Sequence, residues 1–362
     1  KVTSLNLNLS NWNTSNVINL EWMFANAGYS AASGSINVAN WDVSKVEKFN
    51  SLFQYSLFSA NKFQLNLSKW NTSSAIDMSQ FFYQAGFSAT TWSIGDISNW
   101  NTSNVTTMRS MFSSAGYNAN NFELDLSKWN TSSVTNMFEA FRYAGYGSSS
   151  FELNLSNWNV SNVTNFSVMF NLSGVYDSDW SVGDLSNWDT SSAESFSQMF
   201  RYAGYSATDF NLGDISDWDT SSVTTMYEMF YKTGFSSTVF TLNLGNHFDT
   251  SNVTSMAEMF AFTGFNSTNF TLDLSSFDTS NVTDMSSMFY HAGYSSPNFT
   301  LDVSNFDTSN VTDMSGMFSS TGYSSSIFTL DISNFDTSNV TNMGSMFAST
   351  GYNNPTFTLD VS

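Results

Sequence analysis

The 362-residue chain has no cysteine, two prolines, two histidines and only ten lysine or arginine residues. Without cysteine there is no disulfide, no thiolate nucleophile and no thiolate site for a structural zinc. Thirty acids against ten basic residues leave a net charge of −20, a surface that phosphate backbones repel, which argues against nucleic acid as a partner. No apolar run is long enough to cross a bilayer, and neither a signal peptide nor an anchor motif is legible. The chain opens at Lys1, without Met and in the middle of a pattern, as a mature or excised segment would. Catalytic signatures are missing as well: there is no H-E-x-x-H, no phosphate-binding glycine loop and no G-x-S-x-G. His247 and His291 lie more than a repeat apart and are expected at surface or loop positions. The acids recur so regularly that no unique pair stands out for acid–base work. The expectation is a protein that is not an enzyme and needs no cofactor, with calcium the one candidate ion. Basic residues stop at Lys232, and residues 233–362 carry eleven acids and no Lys or Arg. Such a surface suits cations or plain solubility. It also denies trypsin any site in that stretch, which fits an extracellular, protease-exposed protein.

What the chain has is aromatic residues, 17% of the total, and a hydrophobic fraction of 41%, ample for a core. It also has a repeat. An aromatic residue before N/D-T-S recurs at Trp12, Trp41, Trp70, Trp100, Trp129, Trp158, Trp188, Trp218, Phe248, Phe277, Phe306 and Phe335, always 29 or 30 residues apart. These twelve repeats run without interruption, so residues 1–362 are expected to form a single continuous solenoid. The four longer spacings each contain a glycine (Gly95, Gly183, Gly213, Gly245) at the extra position, as a bulge would require.

Before each anchor lies an alternating run such as FTLDLS, residues 270–275, whose period of two predicts a strand with one buried face. Thirteen such runs can be counted, including LNLNLS near the start and FTLDVS at the end. After the anchor, Val282, Met285, Met288 and Phe289 share one face of a short predicted helix. The D-T-S-N before it supplies N-cap side chains, and Gly293 with Tyr294 a Schellman-type stop. The second repeat departs from this stop, with Leu57 and Phe58 in those slots. A strand and a short helix cannot bury their apolar faces alone, whereas stacked copies can. The expected fold is therefore an α/β solenoid, leucine-rich-repeat-like, with a parallel β-sheet on one face and short helices on the other.

The unit WDTSNVTxMxxMF followed by a strand ending in LDLSNF resembles the BspA-like leucine-rich repeats of bacterial surface proteins, over essentially the whole chain. That resemblance implies a leucine-rich-repeat solenoid at the cell surface with a role in adhesion. The AGYSS…F insert between helix and strand departs from the family pattern, and no capping module is visible.

Stacking turns repeat positions into columns. The twelve aromatic anchors read as a core ladder rather than a carbohydrate-stacking stripe, because Trp and Phe exchange freely. The Met-Phe pairs, among them Met23-Phe24, Met111-Phe112, Met259-Phe260 and Met346-Phe347, read as adaptable packing rather than a soft-metal site. Mid-strand, an acid or amide recurs: Asn8, Asn37, Asn66, Asp125 and Asn154 lead to Asp273, Asp302, Asp331 and Asp360. The four aspartates form a candidate weak calcium ladder, set against a solvated polar ladder. Thr271, Thr300, Thr329 and Thr358 make a further column, too interrupted in earlier repeats to present an ice-matching array. N-V-T sequons begin at Asn252, Asn281, Asn310 and Asn339 and are either glycosylation acceptors or caps.

Two functions are compatible with this pattern. One is an extracellular, cell-surface scaffold for binding or adhesion to a protein or a glycan. The other is a structural subunit whose copies stack end to end into a filament or surface layer. The second is motivated by terminal strands without polar capping repeats; caps lying outside the segment would account for the same observation.

Overall fold

The computed structural model of the chain describes residues 3–245, 248–268, 270–326 and 328–361, with the side chains of Thr241 and Thr271 outside the description. It divides into two compact units, Lys1–Gly183 and Asp184–Ser362, and each is a parallel β-solenoid with one turn per repeat.

Strands form where apolar and polar residues alternate. The first unit holds β1 (Ser4–Asn8), β2 (Ser33–Asn37), β3 (Lys62–Gln64), β4 (Thr91–Ser93), β5 (Asn121–Asp125) and β6 (Ser150–Asn154). The second holds β7 (Asp209–Asn211), β8 (Val239–Thr241), β9 (Thr271–Leu272), β10 (Thr300–Leu301), β11 (Thr329–Asp331) and β12 (Thr358–Asp360). They pair in parallel, β1 with β2, β3 with β4 and so on to β11 with β12. Register is strict: Phe122 lies opposite Phe151, Leu124 opposite Leu153 and Asp125 opposite Asn154. The apolar members of β5 and β6 are buried, while Glu123, Asp125 and Glu152 are exposed. A one-residue slip would turn every one of them over, which is why the 29-residue period is held so tightly. Where a repeat has 30 residues, the extra glycine sits at positive φ, as expected of a bulge: Gly213 has φ of 81°, and a Cβ there would lie 2.2 Å from Asp184 Oδ1.

The opposite flank corrects the expected helices, because the described residues contain none. The segment read as a helix is a run of tight turns. In the repeat from Phe277, amides alternate between two kinds of partner. Met285, Ser287, Phe289 and His291 donate to Asp313, Ser315, Met317 and Ser319 of the next turn at 2.8–3.0 Å. Met288, Tyr290 and Ala292 donate three residues back in their own turn. A helix would send every amide back to its own chain. Here half of them tie one turn to the next instead, and the backbone enters the left-handed region every fourth residue, at Ser287 (φ 53°) and His291 (φ 55°). The apolar spacing of Val282, Met285, Met288 and Phe289 serves the same end as in a helix, and all four are fully buried.

The supposed caps take other roles. Asp278 Oδ1 accepts the Ser280 amide at 2.9 Å in an Asx turn, while Thr279 Oγ1 donates to Asp307 O of the next turn at 2.9 Å. The Gly293 amide donates to Thr263 O of the preceding turn rather than closing a Schellman motif. Gly293 itself has φ of 58°, and a Cβ would fall 2.4 Å from Phe299 Cγ. In the second repeat Leu57 adopts the same left-handed conformation (φ 47°), a strained choice sustained by complete burial.

The direction of donation differs between the two sides of each turn. Along the Met-Phe segment amides point to the following turn; along the Gly-Tyr-Ser segment, as at Gly293 and Ser295, they point to the preceding one.

Candidate functional site

The anchor column is core, as the sequence suggests: Trp41, Trp70, Trp100, Trp129, Trp158, Trp188, Trp218, Phe248, Phe277 and Phe306 are at most 3% exposed. Trp12, in the first turn, is 55% exposed and Phe335 is half-buried. Each buried anchor indole of the first unit, from Trp41 to Trp158, also donates its Nε1–H to a carbonyl of the preceding turn, at 2.8–3.2 Å. Phenylalanine lacks that donor, and at Phe277 and Phe306 the residue before the ring supplies it. Asn305 Nδ2 donates to Leu274 O at 3.1 Å and Ser276 Oγ to Gly245 O at 2.9 Å, the carbonyls in the same register. The Met-Phe column is buried too, at Met111, Phe112, Met259, Phe260 and Met346, with Met23 exposed in the first turn. Apart from Trp12 and Met23 in the first turn and the half-buried Phe335 and Phe347 in the last, the described members of these columns offer a ligand neither a ring face nor a sulfur.

The acid and amide column lies on the open strand face, as expected. Asp273, Asp302, Asp331 and Asp360 are exposed, with Asp331 directly opposite Asp360. Their carboxylates are partly committed. Asp273, Asp302 and Asp331 each accept the backbone amide of the serine two residues on, at 3.0 Å. These contacts, the serine side chain foremost and its amide next, hold the carboxyls of Asp273 and Asp302 below the usual range. Among the described residues no three acidic or histidine side chains converge as a metal site would require, so the aspartates form a ladder rather than a cage. In the first unit the amide version links directly, Asn37 Nδ2 donating to Asn8 Oδ1 at 3.1 Å.

Shallow grooves open on this face in both units. One, of about 400 Å³, is lined by Leu272, Asp273, Leu301, Asp302, Thr300 and Thr329. The other, of about 390 Å³, is lined by Glu123, Leu124, Asp125, Glu152 and Asn154. Thr300, Thr329 and Thr358 are exposed beside the aspartates, and the side chain of Thr271 lies outside the description.

The sequon asparagines are exposed, but their amides are in use. Asn252, Asn281, Asn310 and Asn339 each donate Nδ2–H to the carbonyl of Ser221, Ser251, Ser280 or Ser309 in the preceding turn, at 2.7 Å. They are inter-turn ties rather than helix caps. His247 lies outside the described residues. His291 is half-buried, stacked on Phe262 at 4.7 Å, and burial, then the Lys232 charge, depress its basicity.

One column went unrecognised in the sequence. The aromatic residue after the glycine stacks from turn to turn near the surface: Tyr29, Phe58, Phe87, Tyr117 and Tyr146 at 4.3–4.7 Å in the first unit. Tyr205, Phe235, Phe265, Tyr294, Tyr323 and Tyr352 do so at 4.4–5.3 Å in the second. Its sequence signal was the recurrence of AGY and TGY, which a helix stop seemed to explain. The rings lie face to face, so solvent meets their edges, a poor surface for stacking a sugar. Beside this column the second unit holds both its basic residues. Lys232 Nζ lies 4.5 Å over Phe262 and near Tyr202 and Tyr231, and Arg201 pairs with the buried Glu228.

A family model described as "Mycoplasma protein of unknown function, DUF285" matches residues 1–93, 85–204, 182–267, 203–296 and 261–362, and the chain belongs to that family. No curated protein matches the chain.

Proposed function

We propose that this member of the family is an extracellular, cell-surface repeat protein whose open strand face is a binding and adhesion scaffold for a protein or a glycan. One observation carries the reading: grooves of similar size, lined by strand side chains, recur on that face in both units. Repetition of one shallow, polar feature fits an extended partner that repeats as well, held by many weak contacts. The resemblance to BspA-like leucine-rich-repeat surface proteins supports the same role. Calcium held between the paired aspartates of β11 and β12 would add cation-dependent affinity. The test is a binding screen on glycan and matrix-protein arrays, with calcium and then with chelator. The triple variant Asp302→Ala, Asp331→Ala, Glu152→Ala should lose the strongest signals; unchanged binding would move the contact off the strand face.

A second reading is end-to-end stacking into a filament or surface layer. It is favoured by the sameness of the bonding from turn to turn, in which the amides of each Met-Phe segment, such as Met285 and Phe289, donate to the carbonyls of the following turn. Electron microscopy of the purified chain at micromolar concentration separates the two: long fibres support stacking and discrete short particles remove it.

A further inference from the structure

The second unit contains two lysine or arginine residues, Arg201 and Lys232. Arg201 is paired with the buried Glu228, whereas Lys232 has no ion pair among the described residues. Its Nζ lies over the rings of Phe262, Tyr202 and Tyr231, at 4.5, 5.2 and 5.4 Å from their centres. Ring faces are the negative side of the aromatic quadrupole, so they hold an ammonium in place without neutralising it. The half-buried His291, stacked on Phe262, feels that charge: after burial itself, Lys232 is what depresses its basicity. The imidazole has no acid either. Its Nδ1 is buried without a hydrogen bond, and the titratable rings packed against it, Tyr290 and Tyr294, are phenols. The corresponding position of the following turn is Ser320. The acids of the same segments are engaged elsewhere. Glu228 accepts from Arg201, Gln198 and Tyr227, and burial, then the Glu228 charge, push Glu258 toward its neutral form. In the more acidic half of the molecule, two groups able to carry positive charge thus lie together with no carboxylate between them.

What surrounds Lys232 suits an anion supplied from outside. Phe235 and Phe265 lie face to face and turn their edges to solvent, and an aromatic edge is the positive side of the quadrupole. Charges are felt over about 8 Å at physiological salt, so the balance around Lys232 decides, rather than the acidity of the whole unit. A single carboxylate restores neutrality there, whereas a doubly charged phosphate would leave a net negative charge. The residues that follow the rings, Ser236, Asn266 and Ser295, are half-buried or exposed and present hydroxyl and amide groups, the partners of sugar hydroxyls. We propose that Lys232 and the ring edges of Phe235 and Phe265 form a binding site for the carboxylate of a uronic acid residue in a glycan, on the turn flank rather than the strand face. The carboxylate takes charge-assisted hydrogen bonds from Nζ, and the sugar ring meets the hydroxyl and amide groups beside it. The anion site stands on the geometry around Lys232; that its carboxylate arrives on a sugar rests on the adhesion reading above.

The scarcity of histidine gives a direct readout. In the full chain labelled with carbon-13 histidine, only His247 and His291 are visible, and His247→Gln assigns them. The titration of His291 is followed by NMR at constant ionic strength, with cellobiouronic acid as the probe and cellobiose as its neutral counterpart. A carboxylate beside Lys232 cancels the charge that holds His291 down. The acidic disaccharide should therefore raise its titration midpoint, and cellobiose should leave it unchanged. Lys232→Met keeps a flexible apolar stem over Phe262. That variant should raise the midpoint by itself, lose the further response to the acidic disaccharide, and bind it at least about tenfold more weakly. Lys232→Arg should keep both the response and the affinity. No response of His291 to the acidic disaccharide would overturn the site, and so would full affinity in Lys232→Met. A capped peptide with one glutamate that binds as tightly as the disaccharide would overturn the assignment to a sugar. The variant Asp302→Ala, Asp331→Ala, Glu152→Ala should retain the response, since it alters only the strand face; its loss there would move the carboxylate to that face. Failure at Lys232 leaves the strand-face scaffold to its own array test.

Discussion

The first unit carries eleven acids and eight basic residues, the second nineteen and two, so one coil design is used at net charges of −3 and −17. The anchor ring changes as well, being indole as far as Trp218 and benzene from Phe248 on. Neither change alters the turn. Most of the added charge sits on exposed columns, where aspartates such as Asp273 and Asp302 accept the amide of the serine two residues on. The loss of the indole N–H is made good by Asn305 or Ser276 reaching carbonyls in the same register. The coil thus specifies a set of inter-turn hydrogen bonds and a filled interior, and leaves open which side chain supplies them.

The sharpest way to break the comparison is to empty the interior. Trp129→Ala and Phe306→Ala should each cost about 3–5 kcal/mol, the first seen as a lower denaturant midpoint by tryptophan fluorescence. Nine of the eleven tryptophans lie in the first unit, so that signal reports on it. Far-UV circular dichroism follows Phe306→Ala. A cost below 1 kcal/mol would mean the column is not a shared core.

A finer test exchanges the two solutions. Trp129→Phe removes one of two donors from the carbonyl of Ile97, which still accepts the Trp100 amide. The expected loss from the missing bond is about 0.5–1.5 kcal/mol. Adding Lys128→Asn recreates the Asn-Phe pair of residues 305–306 and should recover part of it. A double variant no more stable than Trp129→Phe alone would show that asparagine is not the substitute for the indole.

The smallest expected effect is on acidification. Serine contacts hold Asp214, Asp273, Asp302 and Asp307 below their ordinary value of 3.8 in the second unit, and Asp42, Asp96 and Asp125 in the first. A carboxyl depressed in the folded state adds stability that is fully present above its unfolded value and is lost as pH falls through the folded one. These carboxylates should therefore cost stability below about pH 4, more in the second unit, where depressed His291 adds an earlier loss as pH falls below its ordinary 6.5. Circular dichroism should then decay before tryptophan fluorescence; the reverse order would place the sensitive carboxylates in the first unit.

Much of this architecture was legible because it repeats. The strand alternation, the bulge glycines and the buried anchor column follow from period and polarity, and twelve copies average out local accidents. The turn segment was misread because burying Val282, Met285, Met288 and Phe289 on one side is a demand that a helix and a chain of tight turns satisfy equally. What separates them is where the amides go, which depends on a neighbour that a single repeat does not contain. A weak clue was present: T-D-M-S-S-M-F-Y is poor in strong helix formers. The period of two was enough to put Asp273, Asp302, Asp331 and Asp360 on the exposed strand face, but their serine partners were not foreseen. The half-exposed tyrosine column was hidden behind a plausible local explanation for Gly293 and Tyr294.

The opposed direction of amide donation on the two sides of each turn gives every cross-section a handed signature. A stack ending in either direction shows a stripe of hydrogen-bond donors on one flank and a stripe of acceptors on the other. Whatever continues it, more of the same chain or another molecule, must answer both stripes at once. A copy arriving in the same orientation does so with the pairing each turn already makes to its neighbours.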